Sequence, residues 1–371
     1  MKKLFLIAGE PSGDLEGSLL IREIKTLTSD IEFYGLGGRL MQNEGAHIYY
    51  DLANEAVVGF VEVIKKIKFF KRIFKETLDR IKEQKPDAVI FIDYPGFNLR
   101  MVKEIKKLGI RTIYYISPQI WAWGEKRVEI IKQYVDEMIV FFKFEEEFYK
   151  KHGVKAKFIG HPLLDLIKPT LTEKEFIEKY NLRGTSKKIF IMPGSRDNEV
   201  KKHLPVILKA IQTIPKKDDC EFLLLSSPYL KENIFKEEIP SLKIISHDNC
   251  NAIYHSYTGI VASGTATLES ALLNRPFIII YKTSLLNYLI LKPQIKVPFI
   301  GIANLILKEK AMPELTQYNY TSFNLAQELC KLLDDSEYYK KLQDKLLKFK
   351  NILGEKGAAK RAAEYILEVL N

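Results

Sequence analysis

Short apolar runs alternate with amphipathic stretches along almost the whole chain, and this alternation restricts the fold more than any other feature. Strand candidates in the first half are 3–8, 32–36, 87–92, 111–116, 137–142 and 156–159. Those in the second half are 188–192, 221–226, 242–246, 258–262 and 277–281. Helical patterns lie between them, for example at 14–27, 98–108, 199–214 and 265–273. Alternation of this kind predicts an α/β fold of parallel sheets wrapped by helices on both faces.

The two series of strands indicate two domains, because 371 residues exceed the size of an ordinary single domain. The boundary is best placed in "GHPLLDLIKPT" (160–170), which contains two prolines. We therefore predict two doubly wound domains, 1–168 and 169–356, and a final helix, 357–371, that could pack back on the first domain. Ligands bind such sheets at the carboxyl ends of the strands, so the functional cleft is expected between the domains.

The composition excludes several functional classes. No run of about eighteen uncharged apolar residues occurs, so no transmembrane helix is expected. The three cysteines, Cys220, Cys250 and Cys330, lack metal-type spacing, and a reducing cytoplasm without disulfides fits them. The net charge of +10 favours an anionic partner, which could be nucleic acid, a phosphorylated metabolite or an acidic membrane.

Part of this charge is concentrated in "KKIKFFKRIFK" (65–75), which has six basic residues and no acid. Helical spacing predicts a core-facing stripe of Phe60, Val63, Ile64, Ile67, Phe70, Phe74, Leu78 and Ile81. Phe69 and Ile73 fall on the opposite side beside basic residues, as in a helix lying on an anionic membrane. Packing on a loop or another subunit is the alternative, and RNA binding is less favoured without a recognisable module. The predicted membrane contacts are Lys65, Lys68, Phe69, Arg72 and Ile73.

Two turns in the second half suit phosphate. In "IMPGSRDNEV" (191–200), Ser195 can direct a backbone amide at a phosphate and Arg196 can bind one bidentately, although Arg196 could instead pair with Glu199. In "ASGTATLES" (262–270), Gly264 forms a turn and Thr265 opens a helix, which suits a pyrophosphate.

Glu269 follows the second of these turns and could accept hydrogen bonds from a ribose. Two phosphate-suited turns with such a carboxylate predict a nucleoside diphosphate ligand. The absence of the GxxxxGK[ST] and GxGxxG patterns argues against an ATPase and against a dinucleotide dehydrogenase.

A candidate general base lies in "AVIFIDYPGFNLR" (88–100), where Asp93 ends a buried strand. Asp93 could instead cap the next helix, but Asn98 is the better candidate for that cap. Trp121 and Trp123, further along, could stack on a sugar, pack acyl chains or belong to the core.

The glycine-rich turn "GEPSGDLEG" (9–17) follows the first strand but carries Glu10 and Asp14, which repel phosphate. Carboxylates can accept hydrogen bonds from sugar hydroxyls, although Asp14 could instead cap the following helix. The predicted contacts here are Glu10, Ser12, Gly13 and Asp14, together with Asn98. No Cys/His metal pattern or G-x-S-x-G nucleophile motif occurs, and His161 is more typical of a loop residue than of a catalyst.

With these residues collected, the chain resembles the lipid A disaccharide synthases, inverting glycosyltransferases with two Rossmann-like domains, the GT-B type. The resemblance covers most of the chain, in family order, and any single block would be weak. The matching blocks are "AGEPSGD" (8–14), "GLGG" (35–38), "VVGFVEVI" (57–64), "FIDYPGFN" (91–98), "YISPQIWAW" (115–123), "FIGHPLLD" (158–165), "PGSRDNE" (193–199), "ASGTATLE" (262–269), "YKTS" (281–284) and "PELTQ" (313–317).

The resemblance implies transfer of 2,3-diacylglucosamine from UDP to 2,3-diacylglucosamine 1-phosphate, forming a β-1,6-linked disaccharide. It implies that Asp93 is the base and that Arg196 binds the diphosphate. It also implies nucleotide contacts from Ser195, Gly264, Thr265, Glu269, Asn304 and Gln317, the last two near uracil or ribose. No cofactor or metal is implied. The chain departs from the family at Gly96, where a second aspartate is usual, so no second catalytic carboxylate is expected.

By the same resemblance, the protein is expected in the cytoplasm of a Gram-negative bacterium, peripherally bound to the inner membrane, with no nucleic-acid partner and with a homodimer possible. Another GT-B enzyme that uses a UDP-sugar, either a UDP-N-acetylglucosamine epimerase or a muramyl-type transferase, is the alternative. A soluble epimerase has no use for the basic apolar helix. A non-catalytic nucleotide-sugar binder is a further alternative, against which the intact Asp93 block argues.

Overall fold

The computed structural model describes the whole chain except residues 53–66, 122–123, 216, 227–229, 231–241, 285–287 and 289–296. Its described strands form two sheets in which every pair of neighbours is parallel. The predicted fold class, two doubly wound parallel sheets with helices between the strands, is confirmed.

The first sheet has seven strands in the order β3-β2-β1-β4-β5-β6-β7. Its strands are β1 Lys2–Ala8, β2 Ile31–Gly37, β3 His47–Asp51, β4 Ala88–Ile92, β5 Arg111–Tyr115, β6 Glu137–Val140 and β7 Ala156–Phe158. The helices of this part are α1 Pro11–Leu27, α2 Arg39–Asn43, α3 Ile67–Gln84, α4 Pro95–Lys107, α5 Val128–Tyr134, α6 Lys143–Lys151 and α7 Leu163–Leu166. The central strands are apolar over residues 4–8 of β1 and along the whole of β4, because helices cover both faces of the sheet.

The second sheet has six strands in the order β10-β9-β8-β11-β12-β13. Its strands are β8 Lys187–Met192, β9 Cys220–Ser226, β10 Leu242–Ser246, β11 Thr258–Ala262, β12 Phe277–Tyr281 and β13 Glu314–Thr316. The helices that follow α7 in the sequence are α8 Glu173–Lys179, α9 Asp197–Thr213, α10 Asn249–Tyr254, α11 Ala266–Leu272, α12 Ile302–Leu307, α13 Ser322–Asp334, α14 Ser336–Ile352 and α15 Ala358–Leu370.

The chain divides into two compact units. The first comprises Met1–Asp165 and Leu353–Asn371, and the second comprises the described residues between Leu166 and Ile352. Helix α15 belongs to the first unit, where it packs on α1. Two contacts fasten it there: the Lys2 ammonium donates to the Leu370 carbonyl at 2.8 Å, and the Arg361 guanidinium donates to the Ile159 carbonyl.

The strand order reverses at one point in each sheet, between β1 and β4 and between β8 and β11. At such a point the two following connections go to opposite faces and leave a crevice at the carboxyl ends of the strands, where ligands of doubly wound sheets bind. The turns after β1, β4, β8 and β11 are therefore the positions at which functional side chains are expected.

Helix α3 faces the core differently from the prediction. Ile73, predicted to be exposed, is 2 % exposed and belongs to the core cluster, whereas Ile67, predicted to be buried, is 45 % exposed. Phe69 is half-buried against the same cluster and lies 5.5 Å from the Tyr50 ring. The reason is Thr77, whose hydroxyl donates to the Ile73 carbonyl at 2.6 Å, so this polar residue can be buried on the core-facing side.

The exposed side of α3 carries the basic residues. Lys68 and Arg72 are exposed as predicted for membrane contacts, and Arg72 lies over the Phe69 ring at 5.7 Å. Lys65 lies outside the described residues. In the described ranges, no helix combines the length and the apolar character needed to cross a bilayer.

The buried position of Ile73 leads to a stability prediction. Replacing Ile73 by Ala should lower the free energy of unfolding by about 2–5 kcal/mol, because it removes a core side chain and leaves a cavity. Ile67→Ala on the same helix is the matched control and should change it by less than about 0.5 kcal/mol. Urea unfolding curves measure both, and equal effects would contradict this packing of α3.

Candidate functional site

The turn after β4 has an unusual backbone. Asp93 and Tyr94 have φ values of 43° and 49°, so two consecutive residues other than glycine are left-handed. Each such residue costs on the order of 1–3 kcal/mol and persists only where the surroundings impose it. A strained pair at the switch point of the sheet marks this turn as a candidate functional site.

Three hydrogen bonds hold this turn. The Asp93 amide donates to the Tyr115 carbonyl at 3.3 Å, and the Asp93 carbonyl accepts from the Tyr114 hydroxyl and from Asn98 Nδ2, both at 2.7 Å. The prediction that Asn98 caps the helix is wrong, because Pro95, which needs no amide partner, begins the helix three residues earlier. Asn98 is fully buried, so a direct contact with substrate would require its exposure.

The Asp93 carboxyl has a raised pKa. Burial is the main cause, the negative charge of Glu10 adds to it, and a hydrogen bond from the Tyr94 amide opposes it, which leaves the pKa at about 7. A carboxylate with this pKa is partly ionised near neutral pH and can accept a proton from a hydroxyl group. The geometry and the electrostatics both suit the general base predicted for Asp93.

Glu10 occupies the turn after β1 and precedes the first residue of α1. Its neighbour Gly9 lies directly under the Tyr94 ring, since a Cβ atom at Gly9 would be 2.2 Å from that ring. The turns after β1 and β4 are thus packed against each other, which brings the charge of Glu10 close enough to raise the pKa of Asp93.

The other predicted residues of this turn have mostly structural positions. The Asp14 carboxylate is buried and accepts from the amides of Gly38, Leu40 and Met41 at 2.8–3.1 Å, so it caps α2 and not its own helix. Gly13 is buried against β1, where its small size allows α1 to approach the sheet. Ser12 is exposed.

The loops after β5 and β6 are joined through Glu145. This buried carboxyl accepts from Trp121 Nε1 at 3.1 Å and from the Phe142 amide at 3.2 Å, and burial raises its pKa to about 7. Trp121 therefore packs within the first unit, while Trp123 lies outside the described residues. His161 accepts from the Leu163 amide, and burial lowers its pKa to about 3, which keeps it neutral.

In the second unit, the turn after β8 contains Gly194, Ser195 and Arg196, with Arg196 immediately before α9. The Glu199 carboxylate accepts from the Ser195 amide at 3.1 Å and lies 3.4 Å from Arg196 Nη1. The pairing of Arg196 with Glu199, the alternative weighed from the sequence, is thus present, and it uses the two donors that also suit a phosphate.

The turn after β11 leaves room for a ligand. Gly264 has a φ of 152° and no atom within 4 Å of the position of a Cβ atom, and Thr265 is exposed at the start of α11. Thr267 closes the turn by donating to the Gly264 carbonyl at 2.7 Å. Burial raises the pKa of Glu269 to about 7, so a fraction of it is neutral at that pH.

Asn304 does not have the position that a nucleotide contact requires. It is fully buried, its Nδ2 donates to the Met312 carbonyl and to Glu314, and its Oδ1 accepts from the Met312 amide. Glu314 also accepts from the amides of Ile300 and Gly301, so the pair fastens α12 to β13. Gln317 follows β13 at the carboxyl edge, with a left-handed φ of 48°.

Sequence reasoning missed His203. Its ring is buried in α9, with Nδ1 2.6 Å from the Pro193 carbonyl and Nε2 accepting the Lys282 amide at 2.9 Å, which fixes the neutral tautomer protonated at Nδ1. It thereby joins the turn after β8 to the segment after β12. The spacing of four residues between Glu199 and His203, which places both on one side of a helix, could have identified it from the sequence. Among the described residues, no group of three His, Cys, Asp or Glu side chains could hold a metal ion.

Comparison of the fold with solved structures gives likenesses over nearly the whole chain. An S. aureus MnaA structure with UDP has a TM-score of 0.70 at 14 % identity, covering 100 % of this chain and 97 % of that one. The UDP-GlcNAc 2-epimerase of Neisseria meningitidis, bound to UDP-GlcNAc, scores 0.68 at 14 %, covering 99 % and 100 %. The calicheamicin glycosyltransferase CalG4 scores 0.63 at 11 %, covering 100 % and 98 %. At these identities the likeness shows a shared fold.

Sequence comparison gives the family. The family described as lipid-A-disaccharide synthetase matches residues 4–369. The lipid-A-disaccharide synthase of Syntrophus aciditrophicus is 38 % identical over 376 residues, covering 100 % of this chain and 98 % of that protein. The Coxiella burnetii enzyme is 38 % identical over 370 residues, covering 98 % of both, and that of Persephonella marina is 36 % identical over 381 residues, covering 100 % and 99 %. The chain is therefore a glycosyltransferase of lipid A biosynthesis that belongs to the lipid-A-disaccharide synthase family.

Proposed function

We propose that this chain transfers 2,3-diacylglucosamine from its UDP donor to 2,3-diacylglucosamine 1-phosphate, giving the β-1,6-linked disaccharide 1-phosphate and UDP. The observation that carries the proposal is the strained, half-buried Asp93 turn, which presents a carboxyl group with a pKa of about 7 at the carboxyl edge of the first sheet. The family match over residues 4–369 favours this reaction over the epimerase alternative.

In the proposed reaction, the Asp93 carboxylate removes the proton from the acceptor hydroxyl while the oxygen attacks the anomeric carbon of the donor. The bond from that carbon to the UDP oxygen breaks, its electron pair leaves with UDP, and the configuration at carbon inverts. The proton stays on Asp93 until it passes to solvent. The three hydrogen bonds to the backbone of Asp93 fix the turn from which its carboxylate projects, so less reorganisation is needed at the moment of reaction.

The second unit supplies the donor site in this proposal. Ser195 and Arg196 at the start of the 17-residue helix α9 bind the diphosphate, where the helix dipole and the guanidinium stabilise the charge of leaving UDP. Gly264 and Thr265, in the turn after β11, bind the same diphosphate. Glu269 and Gln317 contact the ribose or uracil. Two of the proteins with this fold are described with bound UDP or UDP-GlcNAc, which supports UDP as the nucleotide.

We also propose that the basic N-terminal half of α3 docks on an anionic membrane. It presents Lys68, Lys71, Arg72 and Lys75 on its exposed side, whereas acidic residues first appear at Glu76. Because α3 leads into the parallel strand β4, this half lies toward the carboxyl edge that carries Asp93.

An aromatic series connects this half of α3 with the Asp93 turn. The rings of Phe74 and Phe97 are 5.5 Å apart, and those of Phe97 and Tyr94 are 6.0 Å apart. Phe74 and Tyr94, the partly exposed members of this series, suit contact with the acyl chains of the proposed substrates. The apolar membrane contacts predicted at Phe69 and Ile73 are packed against the core, so the docking relies on charge.

The direct test of the function is incubation of the purified protein with both acylated substrates, followed by mass spectrometry for UDP and the disaccharide 1-phosphate. Asp93→Asn should reduce kcat by at least about a hundredfold, because general-base catalysis contributes 10²–10⁴-fold. The variant should bind UDP with unchanged affinity, because the nucleotide site is in the other unit. Turnover of a non-acylated UDP-sugar, with no disaccharide formed, would contradict the proposed function.

The charge of Glu10 should contribute to the pH dependence of kcat/KM, because it adds to the raised pKa of Asp93. The base works ionised, so kcat/KM should rise with pH and reach half its maximum near pH 7, the pKa of Asp93. Glu10→Gln removes a negative charge that disfavours ionisation of Asp93, so the midpoint should move to lower pH. Glu104→Gln, at the far end of α4, is the control and should leave the midpoint unchanged. A midpoint that stays fixed in both variants would exclude the coupling between Glu10 and Asp93.

Membrane docking can be tested with two matched double variants of α3. Lys68→Glu with Lys71→Glu should weaken binding to vesicles of anionic lipid by at least about tenfold, since each basic residue near such a surface contributes about 1 kcal/mol. Arg80→Glu with Lys82→Glu makes the same change of charge in the mixed-charge half and should have little effect. Vesicle sedimentation measures both, and equal losses would show a general charge effect instead of docking by the basic half.

A further inference from the structure

The Glu199 carboxylate occupies the turn that the proposed function assigns to the diphosphate. One oxygen accepts from the Ser195 amide at 3.1 Å and the other lies 3.4 Å from Arg196 Nη1. The side chains of Arg196 and Glu199 are 35 % and 25 % exposed, so this ion pair lies where an anion from solution can reach it. A negatively charged group of the protein itself is thus bound by the donors that would bind a phosphate.

Ordinary helix capping does not account for this arrangement. Glu175 in α8 shows the ordinary case: it accepts from the amide and hydroxyl of Thr172, the residue immediately before the helix, at 2.8 and 2.7 Å. Glu199 holds the equivalent position in α9, but the residue before that helix is Arg196. Its carboxylate reaches one residue further back, to the Ser195 amide, and lies beside the guanidinium.

The backbone of the turn leaves room for the carboxylate. Gly194 has a φ of 139°, and a Cβ atom there would be 2.6 Å from both Cβ and Oε2 of Glu199. Any other residue at this position would therefore displace the Glu199 side chain. The glycine suggested by the sequence for phosphate binding serves, in this structure, the approach of a carboxylate.

We propose that Glu199 is an internal anion that keeps the Ser195 amide and the Arg196 side chain in position and that the diphosphate of the nucleotide displaces. The inference rests on the proposed function, because it concerns the same diphosphate site. The Ser195 amide has one proton and cannot donate it fully to two acceptors, and two anions at this turn repel each other, so the carboxylate must leave when the diphosphate binds.

Two other titratable groups lie within electrostatic reach of Glu199. Burial is the main cause of the raised pKa of the Tyr281 hydroxyl, the negative charge of Glu199 adds to it, and the positive charge of Arg196 opposes it. Burial lowers the pKa of His203, and the negative charge of Glu199, four residues earlier on the same helix, opposes this shift. When UDP departs, the carboxylate returns to the turn and competes with rebinding, which favours product release.

The test compares the affinity of two ligands for three proteins by calorimetry. Glu199→Gln keeps an oxygen that can accept from the Ser195 amide but removes the competing charge, so UDP should bind about tenfold more tightly, as expected when one partly solvated like-charge contact is relieved. Uridine, which has no phosphate, should bind equally to the wild type and the variant. Glu175→Gln, which removes the ordinary capping carboxylate of α8, should leave both affinities unchanged.

The outcomes separate this inference from the proposed function. Unchanged UDP affinity in Glu199→Gln would show that Glu199 only caps the helix. Weaker UDP binding would show that it only supports Arg196. Either result would overturn the proposal that the diphosphate displaces the Glu199 carboxylate. Failure of the wild type to bind UDP would overturn the proposed donor site itself. If Glu199→Gln proves unfolded in a thermal melt while Glu175→Gln does not, Glu199→Ala is measured in its place, with the same expectation of tighter UDP binding.

Discussion

The left-handed pair Asp93–Tyr94 is the constraint on which the candidate catalytic edge depends. Neither residue favours this backbone on its own, so the conformation persists only because the Tyr114 hydroxyl, the Asn98 amide and the Tyr115 carbonyl hold it. These partners come from β5 and from the first turn of α4, elements whose own stability derives from the apolar core of the first unit. Core packing and the orientation of Asp93, the proposed base, are therefore linked through a few buried polar groups.

The second unit places its candidate binding residues at the same topological position as the first unit, but these residues have a different chemistry. Its turns after β8 and β11 also lie at the point where the strand order reverses, but they add backbone amides, hydroxyls and the Arg196 guanidinium, which is paired with the Glu199 carboxylate. The first unit has its carboxylates, Glu10 and Asp93, at the equivalent turns. One architecture used twice can thus provide a site for hydroxyl groups in one unit and a site for anions in the other, because the turn residues alone decide the charge.

The sequence predicted the parallel sheets well, because long apolar runs such as Ala88–Ile92 are buried on both faces and have few alternative structures. It did not predict β3 or β13, which are edge strands; β3 is only partly buried and β13 has three residues. The turns that carry Asp93 and Arg196 were located correctly at strand ends, because that follows from the topology alone.

The partners of individual polar side chains could not be read in the same way. Asp14, Asn98 and Asn304 were assigned to substrate, yet each is buried and hydrogen-bonded to backbone groups of another element or turn. A sequence pattern identifies a polar residue near a site, but it does not identify the backbone group with which that residue forms its hydrogen bond. Thr77 reversed the burial expected for Ile73 for a related reason, since a hydroxyl bonded to its own helix can be buried as readily as an apolar group.

The return of α15 to the first unit has a consequence for the order of folding. Lys2 and Leu370 are joined by a hydrogen bond across a sequence separation of 368 residues, and α15 packs on α1. During synthesis, the first unit lacks the helix that covers α1 until the residues of the second unit have been made. Contacts between segments this far apart in the sequence form late because they require the closure of a long loop. The unit that carries Asp93 is thus completed after the other unit, so a chain stopped before α15 would leave the surface of α1 uncovered.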